Sequence, residues 1–205
     1  MTIDHVVLAA PDLAATVARL ERLTGVRPVA GGRHPDAGTR NFLLGIGEAS
    51  YLEIIGRDTG QPAPATRLPF DLDSRTEPAV VTWALRVDRI DERVATALAQ
   101  GFDTGDVVSG SRVAPDGRVF EGRITPPATG TDTGLLPFLI EWGGSCHPAA
   151  TLPKVPLVSL TAVHPDPGRI RKGLRALRAT IEVRSGDRPA LVVCLQGHGG
   201  PVVLR

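Results

Sequence analysis

The sequence predicts an α+β fold with mixed sheets, in which one supersecondary unit, βαβββ, is written about three times. Three observations carry this. First, apolar stripes at +4, +3 spacing recur as Leu13, Val17 and Leu20, then Ile90, Val94 and Ala97, then Ile170, Leu174 and Leu177, each making one buried helix face. Second, a strand-like run precedes each stripe, and two or three follow it. Third, an aspartate stands near each helix start (Asp12, Asp88 and Asp166), where a carboxylate accepts from backbone N–H groups that have no partner in the first turn.

In the first unit the strands are expected near 3–9, 27–33, 40–46 and 50–56. In the second they are expected near 80–87, 105–113, 118–125 and 136–142, and in the third near 156–163, 179–184, 190–196 and 201–204. Pro167 suits the first position of the third helix. Residues 58–78 hold Pro62, Pro64, Pro69 and Pro78 and read as an ordered crossover between units 1–57 and 79–145. Residues 126–136 read as a loop able to close over a site. The predicted division is therefore a two-unit domain over 1–150 and a smaller C-terminal extension over 151–205.

Composition narrows the function classes. The chain has 205 residues, 42% of them hydrophobic, enough to bury a core without disulfides. The formal net charge is +1 and the basic residues are scattered, which argues against nucleic-acid and membrane-surface partners. No run approaches the length of a membrane span and no signal-peptide pattern opens the chain, so a cytoplasmic protein is expected. Cys146 and Cys194 are isolated, and no disulfide is expected between them in a reducing compartment.

Chemistry-bearing residues sit inside three apolar strands. His5 lies in Ile3–Leu8, Glu53 in Tyr51–Ile55 and Glu141 in Phe138–Trp142. Such groups are costly in an apolar setting unless paired. A divalent metal shared between duplicated halves accounts for all three. The alternative is a hydrogen-bonded core histidine, with the carboxylates in salt bridges to arginines such as Arg86 or Arg123. By strand alternation, Tyr51 and Ile55 share the face of Glu53, and Leu139 and Gly143 share that of Glu141. Arg86, on the face of Thr82 and Ala84, is expected either at a cleft rim, drawing an anionic substrate, or at a solvated strand end. Arg123 lies on a polar strand face with Glu121 and Thr125, which either lines the cleft, making Arg123 a second candidate contact for an anionic substrate, or faces solvent. His164 and His198 read as structural, and Gly197-His198-Gly199-Gly200 lacks the Lys-Ser/Thr of a phosphate loop.

Taken in order, IDHVVLAAPDL from Ile3, GGRHPDAGTRNFLLGIG from Gly31, YLEII from Tyr51, WALRVDRID from Trp83 and PFLIEWGGSCHPA from Pro137 resemble the vicinal oxygen chelate superfamily, and within it the glyoxalase-like group. The resemblance covers about the first 150 residues. It implies paired βαβββ units forming a cupped mixed sheet around a divalent metal, with ligands from the first and last strands of each unit, and a smaller third βαββ(β)-like unit at the C-terminus. Carried over, the metal ligands are His5, Glu53 and Glu141. The fourth position falls on Thr82, since His5 lies eight residues before Leu13 and Thr82 eight before Ile90. That departure disfavours authentic glyoxalase I, which uses four protein ligands. A single candidate histidine disfavours extradiol dioxygenase chemistry. By the same resemblance the loop from His34 to Asn41 borders the pocket, making His34 and Asn41 candidate substrate contacts.

Three functions follow as expectations. The leading one is a metal-dependent isomerase or lyase acting on a small oxygenated molecule, anionic if an arginine stands at the cleft rim. Here Zn, Ni, Co or Mn is held by His5, Glu53 and Glu141, and Glu141 or Glu53 moves a proton. The second is a non-catalytic small-molecule binding protein with a degenerate metal site. The third is a structural or regulatory homodimer.

Overall fold

The computed structural model describes residues 2–62, 64, 67–113, 117, 119–127, 134–143 and 147–205. The first unit comprises β1 (Thr2–Ala9), α1 (Leu13–Thr24), β2 (Val29–His34), β3 (Thr39–Gly45) and β4 (Tyr51–Arg57). The second comprises β5 (Ala79–Arg86), α2 (Ile90–Ala99), β6 (Val108–Val113), β7 (Val119–Ile124) and β8 (Phe138–Trp142). The third comprises β9 (Leu157–His164), α3 (Pro167–Ala176), β10 (Glu182–Ser185), β11 (Ala190–Gly197) and β12 (Gly200–Leu204). The three expected repeats are therefore present. Most of the proposed closing loop, residues 128–133, lies outside the described residues, as does Cys146; Cys194 is half-buried in β11.

Eight strands form one sheet in the order β2-β3-β4-β1-β5-β8-β7-β6. Within each of the first two units the first and last strands run parallel, and antiparallel pairing of β1 with β5 joins the units. The edge strands β2 and β6 approach each other, so the sheet curls into a cup. The third unit uses the same elements differently. It forms a four-stranded sheet, β10-β9-β11-β12, in which the parallel partner of the first strand is the second strand, β10, not the last.

The helices cover the convex face. Val6, Leu8, Leu52, Ile54, Trp83, Leu85 and Leu139 project from the large sheet into one core with Val17 and Leu20 of α1 and Ile90 and Ala97 of α2. That core continues into Leu160, Ile170, Leu174 and Leu177 of the third unit. Backbone bonds reinforce the junction, with Val80 N–H donating to Arg205 O at 2.8 Å and Val155 N–H to Gly45 O at 2.8 Å. The concave face carries smaller apolar groups: Leu43 and Tyr51 with Ala149 and Leu152; Ala84, Phe138 and Ile140; and Ala9 with Leu68 and Leu72 of the crossover.

Two of the three helix starts follow the expected capping. Asp12 accepts from Ala15 N–H at 2.9 Å and Asp166 from Arg169 N–H at 3.1 Å. At α2 the capping position falls on Arg89, whose side chain makes no cap bond. There the carboxylate comes from β8 instead: Glu141 Oε1 accepts from Ile90 N–H at 3.3 Å.

Gly134 shows how tightly the second unit is closed. Its φ is +82°, and a Cβ there would lie 1.7 Å from Val81 O. Gly134→Ala is expected to cost at least about 1 kcal/mol from backbone conformation alone, with more from the overlap. Thermal unfolding should show a midpoint lowered by at least about 2–4 °C.

Candidate active site

The site is set by an irregularity in β1. Ile3 pairs with Leu85 and His5 with Ala84, so two steps on β1 oppose one on β5 and Asp4 is the extra residue. Such a bulge re-aims side chains. Here Ile3 packs against the convex core, while Asp4 and His5 both serve the concave side. Parallel pairing of β1 with β4 sets His5 beside Tyr51 and Val7 beside Glu53.

Asp4 is fully buried, and its carboxylate meets four donors. Oδ1 lies 2.8 Å from His5 Nδ1. Oδ2 accepts from Arg86 Nε at 2.9 Å and Trp142 Nε1 at 2.7 Å, and lies 3.0 Å from His147 Nε2. Burial pushes its pKa up, but hydrogen bonds from His147 and His5, with the adjacent imidazoles, outweigh that and hold it far below the ordinary carboxylate range.

The His5 ring stacks on Tyr51 with centroids 4.8 Å apart and meets the Phe138 ring edge-on at 5.4 Å. Its Nε2 faces Glu53 Oε2 at 3.7 Å. Glu53 Oε1 in turn accepts from Asn41 Nδ2 at 2.6 Å. Gly31 makes room for that amide, since a Cβ there would lie 2.3 Å from Asn41 Oδ1. One polar chain thus crosses the cup floor, from Asn41 through Glu53, His5 and Asp4 to Arg86, Trp142 and His147. Asn41 Oδ1 and Thr82 Oγ1 are buried with no hydrogen-bond partner among the described residues.

The structure brings His5, Glu53 and Asn41 together and places Glu141 elsewhere. Leu139 lies in the convex core while Phe138 and Ile140 line the concave face. By alternation, Glu141 shares the convex face of Leu139. There it caps α2 and lies 3.2 Å from Arg123 Nη1; Arg123 also makes a bidentate contact to Asp91 at 2.6 and 2.7 Å. Register gives the reason. Val7 stands six residues before α1 and pairs with Glu53; Ala84 stands six before α2 and pairs with Phe138. The repeat-related partner of Glu53 is therefore Phe138.

Both candidate anion contacts are engaged, Arg86 with Asp4 and with Ala49 O at 2.7 Å, and Arg123 with two carboxylates. His34 sits at the end of the β2–β3 hairpin, with Nδ1 2.9 Å from Thr39 Oγ1. Thr82 lines a cavity of about 780 Å³ between the crossover and the start of β11.

Asp4, Trp142 and His147 are the site residues that sequence reasoning did not select. The available signal was an aspartate directly before His5, which breaks strand alternation and suggests a bulge. His147 has no such signal, because it belongs to no strand or helix. A resident divalent ion would find two of its three expected donors, His5 and Glu53. Among the described residues no group of three His, Cys, Asp or Glu side chains has the arrangement of a metal site, so the expected donor set does not fit.

The profile of the glyoxalase-like domain family matches residues 3–178. No curated protein matches the chain by sequence. Among solved structures, a hypothetical protein from Staphylococcus aureus superposes with a TM-score of 0.61 at 13% identity, covering 92% of this chain and 87% of that one. A methylmalonyl-CoA epimerase from Mycobacterium tuberculosis gives a TM-score of 0.43 at 20% identity, covering 73% of this chain and 91% of that one. The Streptomyces coelicolor enzyme of that name, in complex with 2-nitronate-propionyl-CoA, gives 0.46 at 20% identity, covering 72% and 99%.

Two substitutions separate the two carboxylate environments. Glu141→Ala should cost about 1 kcal/mol, the value of a helix cap. Asp4→Ala should cost about 3 kcal/mol or more, because it strands buried donors. Urea unfolding of the two variants checks the order. The family match, together with the curled sheet of two βαβββ units, shows that the chain belongs to the glyoxalase-like domain family of the vicinal oxygen chelate superfamily.

Proposed function

We propose that the cup is the active site of an isomerase or lyase that moves a proton on a small carbonyl- or hydroxyl-bearing molecule, with Glu53 as the base and His5 as its partner. The observation that carries this reading is the approach of His5 Nε2 to Glu53 Oε2 at 3.7 Å on the concave face. With Nδ1 spent on Asp4, Nε2 is the ring nitrogen left for a ligand. An imidazole lone pair and a carboxylate facing each other need a proton, a donor or a cation between them. A bound ligand bringing an O–H or an acidic C–H meets that need.

Asn41 holds Glu53 by Oε1, and Oε2 faces His5 Nε2. Glu53 takes the proton next to the carbonyl and passes it to His5 Nε2, which delivers it to the carbonyl oxygen to give the neutral enol; the enol O–H proton returns along the same relay to carbon as the carbonyl re-forms. The floor supplies acceptors, with Arg86 and Arg123 occupied elsewhere, so a neutral oxygenated substrate suits it better than an anion. A divalent ion would supply Lewis-acid polarisation of that oxygen. Since the expected donor set is incomplete, no step is assigned to one.

The position of Glu141 on the convex face favours a second reading, in which the cup binds such a molecule without turnover. Both readings are tested by proton NMR of glyceraldehyde, dihydroxyacetone and lactaldehyde in D2O. Under the first, the protein accelerates exchange of the proton next to the carbonyl, and Glu53→Gln slows it by about 100-fold or more. Exchange at equal rates in both proteins contradicts the assignment of Glu53. Saturable binding without exchange favours the second reading.

A further inference from the structure

We infer that Asp4 is a positioning residue that fixes which nitrogen of His5 carries the proton, and that His147 makes the segment leading to the third unit part of this device. The inference deepens the proton-transfer reading and rests on it for its functional meaning; its geometry stands independently.

An ionised carboxylate only accepts hydrogen bonds. Asp4 is ion-paired with the Arg86 guanidinium at 2.9 Å, and Arg86 Nε and Trp142 Nε1, which can only donate, both point at Oδ2. At 2.8 Å from Oδ1, His5 Nδ1 must therefore carry a hydrogen, and in the neutral ring Nε2 is left as a lone pair facing Glu53. Stacking on Tyr51, at an interplanar angle of 17°, prevents the ring from turning to exchange its nitrogens.

His147 is fixed in the same way. Its Nδ1 accepts from Ala149 N–H at 3.2 Å, so its hydrogen is on Nε2, 3.0 Å from Asp4 Oδ2. Its ring lies 5.7 Å from that of Tyr51 and 5.5 Å from that of Trp142. Residues 148–151 continue this segment as a short 3-10 turn, with Pro148 and Ala149 buried. The segment leading to the third unit thus reaches His5 through Asp4, by two hydrogen bonds.

The test is a long-range proton–nitrogen correlation spectrum of full-length protein labelled in its histidine rings, recorded at about pH 8, where ordinary imidazoles are neutral. His5→Gln assigns the His5 signals. The wild type should show His5 protonated at Nδ1. In Asp4→Asn the amide can donate, and His5 should switch to the form protonated at Nε2, with proton exchange into the carbonyl compounds slowed by about 100-fold. His147→Gln, which retains a donor, should leave the Nδ1–H form in place.

A wild-type ring protonated at Nε2 overturns the inference even if Asp4→Asn does not fold. So does an Asp4→Asn protein that folds and keeps the Nδ1–H form. Glu53→Gln separates the two claims. Loss of exchange there, with no tautomer switch in Asp4→Asn, removes the role of Asp4 and keeps that of Glu53. A switch in Asp4→Asn, with exchange unaffected by Glu53→Gln, does the reverse.

Discussion

One buried carboxylate organises this protein. Asp4 has no access to solvent, yet stays ionised because His5, Arg86, Trp142 and His147 surround it. Those donors come from β1 and β5, the strands that join the two units, from β8, the last strand of the second unit, and from the segment before the third unit. A buried carboxylate left without such partners would be strongly destabilising, so the fold and the ionisation of Asp4 require each other. The bulge in β1 makes this possible by turning Asp4 and His5 to the same side, where regular alternation would have put one of them in the convex core.

Chemistry on the concave face follows from that constraint. Asp4 occupies one nitrogen of His5, the ring is held between Tyr51 and Phe138, and the remaining nitrogen meets Glu53, which Asn41 orients in turn. Each member is restrained by a neighbour, which is what pre-organised acid–base chemistry needs. The two arginines that invited an anionic substrate are spent on structure. Arg86 is a donor to Asp4, and Arg123 belongs to a charge cluster with Asp91 and Glu141 on the convex face.

Much of the architecture was legible in the residues. The three helix stripes, the strand count in each unit and the caps at Asp12 and Asp166 could be read because they depend on local periodicity and first-turn chemistry. Register could not be read. Leu139 and Glu141 visibly share a face, but Phe138–Trp142 is apolar on both faces, so nothing local says which face meets the helices. A single-residue offset sends a side chain to the opposite side of a sheet, and Glu141 falls on the side where α2 lacks a capping aspartate of its own. Asp4 escaped selection because its role depends on an extra residue in the strand, and His147 because it belongs to no strand or helix and stands 143 residues from Asp4. That His5, Glu53 and Asn41 lie close together could be expected from the strand motifs that carry the family resemblance.

The account stands on the ionisation of Asp4, and the most direct measurement is a carbon-13 NMR titration of its carboxyl group in the native protein. The surroundings described above require the Asp4 resonance to stay at its ionised position through about pH 3–5, where ordinary aspartates and glutamates titrate, for as long as the protein remains folded. A resonance that titrates near an ordinary aspartate value in the folded protein would contradict the account, because Asp4 would then be neither enclosed by its four donors nor able to hold His5 in place.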